Sequence, residues 1–160
     1  MTSKLLEQFF FWVHGLSGAA WFGGIFYRTV VVDAKALAFF PRRADYEHFS
    51  THLAHNMRYF VIAGLLTCGL SGFALVGLKW DGASGAWLAL MAAKAGVWLG
   101  ACGLFTYVSW VHWPWRALAA PEEFEQYRRQ GQRLAYAMVA LAGIGFALGQ
   151  ACRALPLRNA

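Results

Sequence analysis

Charge is what this chain has least of. Asp, Glu, Lys and Arg together supply 14% of its 160 residues, where a soluble domain carries about a quarter. Acidic side chains are scarcer still, eight against fourteen basic ones. Cysteine is limited to three, an odd number that cannot pair off completely, so a disulfide-stapled secreted scaffold is a poor description. No sustained heptad runs through the chain, which argues against a coiled coil, and no polar tract is long enough to suggest disorder.

Apolar mass fills the space that charge leaves. Hydrophobic residues make up 59% and aromatics 17%, and the mean hydropathy is +0.41. The basic residues punctuate long uncharged runs: Glu7 and Arg28 bracket the first, Arg58 and Lys79 the second, and Arg133 and Arg153 the fourth, while the third reaches from Asp81 to Arg116 with Lys94 inside. Each run is about the twenty residues that cross the hydrocarbon core of a bilayer as a helix. Lipid offers no partners for exposed backbone groups, so four such runs predict four helices. The expected fold is all-α, an antiparallel bundle of four transmembrane helices forming one membrane domain over residues 1–160. The spans are expected at about 9–30, 57–78, 86–112 and 134–153, with connecting loops at about 31–56 and 113–133.

Orientation follows from the short connections, because positive charge resists translocation. One side collects Arg28, Lys35, Arg42, Arg43 and Arg58 from the first loop and Arg116, Arg128, Arg129 and Arg133 from the third. The other side has Lys4, Lys79, Arg153 and Arg158. Both termini and the turn from Lys79 to Gly85 are therefore expected outside, with the two longer loops in the cytoplasm. Basicity here marks topology, and no nucleic-acid partner is expected. The first run has small residues at Gly15 to Ala20 that a signal peptidase could accept, but its leading segment carries Glu7 as well as Lys4, and the apolar stretch continues through Trp21, Phe22, Ile25, Phe26 and Tyr27. It is expected to remain as an anchor.

Small residues at four-residue spacing let helices approach closely, as Ala20 with Gly24, Gly96 with Gly100 and Gly145 with Gly149. Pro41 interrupts the first loop, and from Asp45 a helical pattern leads into the second span with His48, His52 and His55 on one face. Pro121-Glu122-Glu123 resembles a helix start. No internal repeat stands out.

Ionisable residues inside a membrane are costly, so they are the first places to look for chemistry. His14 precedes Arg28 by fourteen positions, about 21 Å of helix, and Lys94 precedes His112 by eighteen, about 27 Å. Both then lie in the outer half of the bundle. At the inner end His55 and His112 fall within about 5 Å of equal depth if the second and third spans form a hairpin. Two neutral imidazoles facing each other could ligate a six-coordinate haem iron, or with His52 or His48 a zinc or copper ion. Plainer roles stand beside these: His14 as an interhelical hydrogen-bonding residue, His112 with Trp113 and Trp115 as part of an interfacial belt, His48 and His52 as a solvated face, and Lys94 snorkelling outward. Cys68 and Cys102 read as small hydrophobes in mid-span, and no Cys-x-x-Cys-His is present for covalent haem attachment. Trp21 and Trp98 lie well inside their spans, away from the interfaces where the other tryptophans fall.

His14, six residues and then Trp21-Phe22-Gly23-Gly24-Ile25-Phe26-Tyr27 resembles the first-helix signature of small membrane proteins related to CopD-type copper-resistance proteins and HemJ-type protoporphyrinogen oxidases. Arg58-Tyr59-Phe60 through Thr67-Cys68-Gly69-Leu70 is similar to their arginine-led second helix, and Trp87-Leu88 followed by Lys94 resembles the helix in which HemJ-type proteins hold a lysine. After the glycine pair the chain reads Phe26-Tyr27-Arg28-Thr29-Val30, where the HemJ type continues Pro-Arg-Leu-Phe. The resemblance implies a bacterial inner-membrane protein whose four-helix core can hold haem b, with His14 and Lys94 at the matching positions.

The leading expectation is a membrane haem protein that transfers electrons, linked to quinone or serving as a subunit or assembly factor of a respiratory or haem pathway, with enzyme status open. One or two haems b are expected: His14 at an outer one, His55 and His112 bracketing an inner one, Lys94 or Arg58 neutralising propionates, and Trp21 and Trp98 lining the cofactor. The alternatives are CopD-like copper handling, though no methionine-rich cluster accompanies it, HemJ-like protoporphyrinogen oxidase activity, and a structural subunit. The small-residue pairs also permit a homodimer.

Overall fold

The computed structural model describes residues 2–154, and among these every regular element is helical. Arg158, counted above on the outer side, lies outside the described residues. Six α-helices follow one another: α1 (Thr2–Tyr27), α2 (Asp33–Phe39), α3 (Arg43–Lys79), α4 (Gly85–Tyr107), α5 (Trp113–Leu118) and α6 (Phe124–Ala154). Five-residue π-helical stretches, Arg28–Val32 and Val108–His112, join α1 to α2 and α4 to α5 without interrupting the rod. The result is four long helices, each apolar enough to cross a membrane.

Local chemistry explains the breaks. Phe40 is extended because Pro41 follows it and disfavours the helical region for the residue before. Arg42 is extended too, and its guanidinium grips Asp45 in the first turn of α3. The stretch 31–56, expected as a loop that turns helical from Asp45, is thus helix on both sides of a short break. At the other connection α6 begins at Phe124, after the expected start at Pro121. Pro121–Glu123 instead form a turn in which the Glu123 carboxylate accepts the Ala120 N–H. Ser84 caps α4 by accepting the Trp87 N–H. The two π stretches also have causes. Pro114 carries no N–H to offer the carbonyls of the preceding turn, and the run Thr29-Val30-Val31-Val32 crowds a helical turn with β-branched side chains.

Packing pairs the first long helix with the second and the third with the fourth, while α3 and α4, joined by the tight turn, barely touch. α1 lies chiefly on α3 and α4 on α6, and α1 with α6 joins the two pairs. Ion pairing of Glu7 with Lys79 and stacking of Arg153 on Phe11 gather one end of the molecule, here the turn end. The opposite, loop end carries the Phe40–Arg42 and Ala119–Glu123 connections. Glycines set the close approaches: Gly24 on Phe60, Gly64 on Trp21, Gly69 on Trp98, Gly145 on Val97 and Gly149 on Lys94, whereas Gly96 faces open space. The core is small, built around Trp21, Val61, Leu65, Ala101, Met138 and Ala142. Large apolar side chains instead cover the outside, Leu70 at 70% exposure and Leu118 at 82% among them. Helices apolar all round need an apolar surrounding.

The element order also occurs twice. Long helix, π stretch, short helix, break and long helix run from α1 to α3 and again from α4 to α6. Arg28–Val32 and Val108–His112 start eighty positions apart, and both follow a tyrosine in a shared pattern Tyr-x-Thr/Ser-x-Val. Thr29 and Ser109, at equivalent positions, are both buried.

Candidate functional site

His14 and Lys94 are brought into direct contact. On α1, the His14 Nδ1–H donates to the Cys68 carbonyl of α3 at 2.9 Å, with Ser71 Oγ at 3.3 Å. A carbonyl can only accept, so this bond fixes the tautomer and leaves Nε2 as a lone pair. Lys94 Nζ, from α4, donates to that lone pair at 2.9 Å. The two residues are also eighty positions apart, at equivalent places in the two halves. Glycines make the space, since a Cβ on Gly72 would stand 3.1 Å from His14 Cε1 and one on Gly149 3.3 Å from Lys94 Nζ. Cys68 Sγ lies 3.8 Å from His14 Nδ1.

The two tryptophans lie in the adjoining core, Trp98 about one turn from Lys94 and Trp21 about two turns from His14. The Trp98 indole N–H donates to the Leu65 carbonyl at 3.0 Å, and its ring covers Gly69 and meets Phe73 edge to face. Trp21 is buried on Gly64, and its Nε1 has no hydrogen-bond partner among the described residues.

The loop end is built differently. A cavity of about 170 Å³ opens there, lined by Arg28, Arg58, Arg116 and Arg128 together with His112 and Ser109. Arg116, 6% exposed, makes a two-pronged bond to Glu47 with both contacts at 2.8 Å. The Trp113 ring carries the guanidiniums of Arg116 at 4.7 Å and Arg28 at 5.9 Å. Arg28 Nε stands 3.8 Å from Asp33. Arg128 and Arg129 share Glu125 and hold its carboxyl down to about 2. Arg58 donates to the Ser109 carbonyl at 2.9 Å and lies over Trp110. π-Helical stretches are frequent at functional sites, and both of those among the described residues contribute to the cavity wall, through Arg28, Thr29, Val108, Ser109 and His112.

Comparison with known protein families, curated proteins and solved structures finds no match.

The expected inner pair does not assemble. His112 is buried at 3% exposure against Trp113, Tyr127 and Gly131, while His55 is exposed beside Tyr59 on the face that also holds His48 and His52. Two physical reasons account for this. The cavity face of α3 passes through Tyr46, Ser50, Ala54, Met57 and Val61, and each further residue turns the side chain by about 100°, so His55 faces outward when Ala54 faces in. In addition, α3 and α4 meet chiefly through long side chains instead of packing as a tight hairpin. His52 is exposed and hydrogen-bonded to Asn56 at 3.2 Å. Arg58 lies ten positions from Cys68, about 15 Å along α3, so it belongs to the loop end and not to His14. As site residues Arg116, Glu47, Ser109 and Arg128 escaped the reading of the sequence, in which Arg116 and Arg128 counted only towards topology. The repeated Tyr-x-Thr/Ser-x-Val pattern was the available signal for the segments that frame them.

Proposed function

We propose that this chain is an integral membrane protein, four helices spanning the bilayer as an antiparallel bundle, that holds haem b through His14 and takes part in electron transfer. The observation that carries the reading is the state of His14. A histidine that ligates a metal typically gives its other N–H to a carbonyl or carboxylate, which fixes the tautomer and ring orientation. His14 has that arrangement, with Nδ1–H on Cys68 and the Nε2 lone pair directed into the interior. Gly72 and Gly149 leave the neighbouring helices without side chains at this place. In this reading His14 would hold the iron of one haem, and Lys94 would be the cation that neutralises a propionate. A bound haem b supplies a reversible one-electron couple. Lys94 guards the Nε2 lone pair and must release it for a ligand to bind there, while Trp21 and Trp98 exclude water from the adjoining core. A second haem between His55 and His112 is not part of this proposal, because those residues do not face each other.

Charge placement supports an orientation with the loop end in the cytoplasm, since Arg28, Arg58, Arg116 and Arg128 gather there. A copper reading has one observation in its favour, the Cys68 thiol beside His14, because Cu(I) takes soft sulfur and imidazole donors.

The test is a reduced-minus-oxidised absorption spectrum and a pyridine haemochrome assay on protein purified in mild detergent after expression with ample haem. About one haem b per chain is expected, lost or spectrally shifted in His14→Ala. Unchanged haem content and spectrum in that variant would remove His14 from the site. Stoichiometric copper without haem would favour the second reading, and a colourless, metal-free protein would defeat both.

A further inference from the structure

The cavity at the loop end plays no part in the cofactor reading. Positive charge dominates its lining, four arginines against the one carboxylate of Asp33. Arg28, Arg116 and Arg128 each stand beside a carboxylate, from Asp33, Glu47 and Glu125. Arg58 has no acidic partner among the described residues; its contacts are the Ser109 carbonyl and the Trp110 ring. A guanidinium presents five N–H donors, so most of those on Arg58 are left to serve something else.

A second polar group in the cavity wall is independently unsatisfied. His112 is 3% exposed, and its Nε2 is buried with no hydrogen-bond partner among the described residues. The ring owes its position to Gly131, where a Cβ would stand 2.9 Å from Nε2 and 3.3 Å from Arg116 Nη1. Buried nitrogens are nearly always paired, so an orphan beside a cavity points to a missing partner. The rest of the wall mixes apolar side chains, Ile25, Val61, Phe105 and Met138 among them, with the polar Thr29, Ser50 and Gln132. At about 170 Å³ the space compares with cavities of roughly 150 Å³ that admit a benzene-sized ligand.

We infer that this cavity binds a phosphate oxyanion, held by the free guanidinium donors of Arg58 and by an N–H at His112 Nε2. Arg28 and Arg116 add positive potential while remaining tied to Asp33 and Glu47. Arginine suits the task because its planar fork matches phosphate oxygens. The same chemistry comes from two sources, the headgroup of an anionic phospholipid in the surrounding leaflet or free inorganic phosphate. Basic pockets between membrane helices on the cytoplasmic side bind lipid headgroups in this way.

The experiment titrates the full chain in detergent with inorganic phosphate, with phosphatidylglycerol and with zwitterionic phosphatidylcholine, reading the unfolding midpoint and the binding curve. Wild type should gain thermal stability and bind saturably, more weakly at high salt. Arg58→Gln should weaken binding about tenfold or more, and Arg43→Gln, an exposed arginine, should leave it unchanged. A response to phosphate alone assigns the free anion. A response confined to phosphatidylglycerol assigns the lipid. No response of wild type to either probe overturns the site, whether or not the variants fold. Equal stabilisation by phosphatidylcholine, or equal losses in R58Q and R43Q, overturns it as well, since either would mean non-specific binding.

Discussion

Replacing Glu47 by alanine tests the loop-end architecture most directly. Glu47 supplies both acceptors to Arg116, at 2.8 Å each, and the side chains are 15% and 6% exposed. Without Glu47 the guanidinium keeps its stacking on Trp113 but remains buried with no counter-charge. Breaking such a pair from one side costs about 3–5 kcal/mol, whereas replacing both partners by apolar groups of similar volume is often close to neutral. Glu47→Ala should therefore lower the unfolding free energy by about 3 kcal/mol or more, and the double variant Glu47→Leu with Arg116→Met should recover most of that loss. Asp45→Ala breaks the exposed Arg42 pair, whose side chains are 80% and 37% exposed, and should cost at most about 1 kcal/mol. The assay is reversible unfolding of the detergent-solubilised chain, read as a double-mutant cycle. A loss at Glu47 no larger than that at Asp45, or strict additivity of Glu47→Leu and Arg116→Met measured singly and together, would refute the reasoning.

The close approaches make a second prediction. Gly69→Ala places a methyl group in the Trp98 ring and should cost about 1–3 kcal/mol by overpacking, while Gly96→Ala, with nothing nearby, should be neutral or mildly stabilising; equal effects in thermal unfolding would remove the Trp98 contact from the account. Glu125 precedes the apolar part of α6 and has its carboxyl pKa lowered from 4.5 to about 2 by Arg128 and Arg129. A lowered folded-state pKa means its contribution is present above about 4.5 and is lost as pH falls towards 2. Glu125→Gln should thus flatten the decline of the unfolding midpoint over that window, and an unchanged slope would show that the arginine cluster contributes nothing there.

The number of long helices, their apolar character and the two ionisable residues held within them follow from the sequence alone. Each depends on composition along one chain segment, and a run of twenty uncharged residues has few ways to satisfy its backbone other than as a helix. That His14 and Lys94 fall in the same half of the bundle was legible for the same reason, because rise per residue is nearly constant. Which residues meet across helices was decided only by the tertiary structure. His55 and His112 share a depth by counting, yet one faces out and the other in, because facing depends on rotational phase and on which neighbour a helix chooses. α1 packs on α3 and α4 on α6, joined through α1 and α6, and that choice rests on glycines meeting bulky partners, Gly64 with Trp21 and Gly145 with Val97. Close contact of backbones is a property of two surfaces together. The His14 to Lys94 hydrogen bond and the arginine-lined cavity arise from that pairing, and no single segment of the chain contains either.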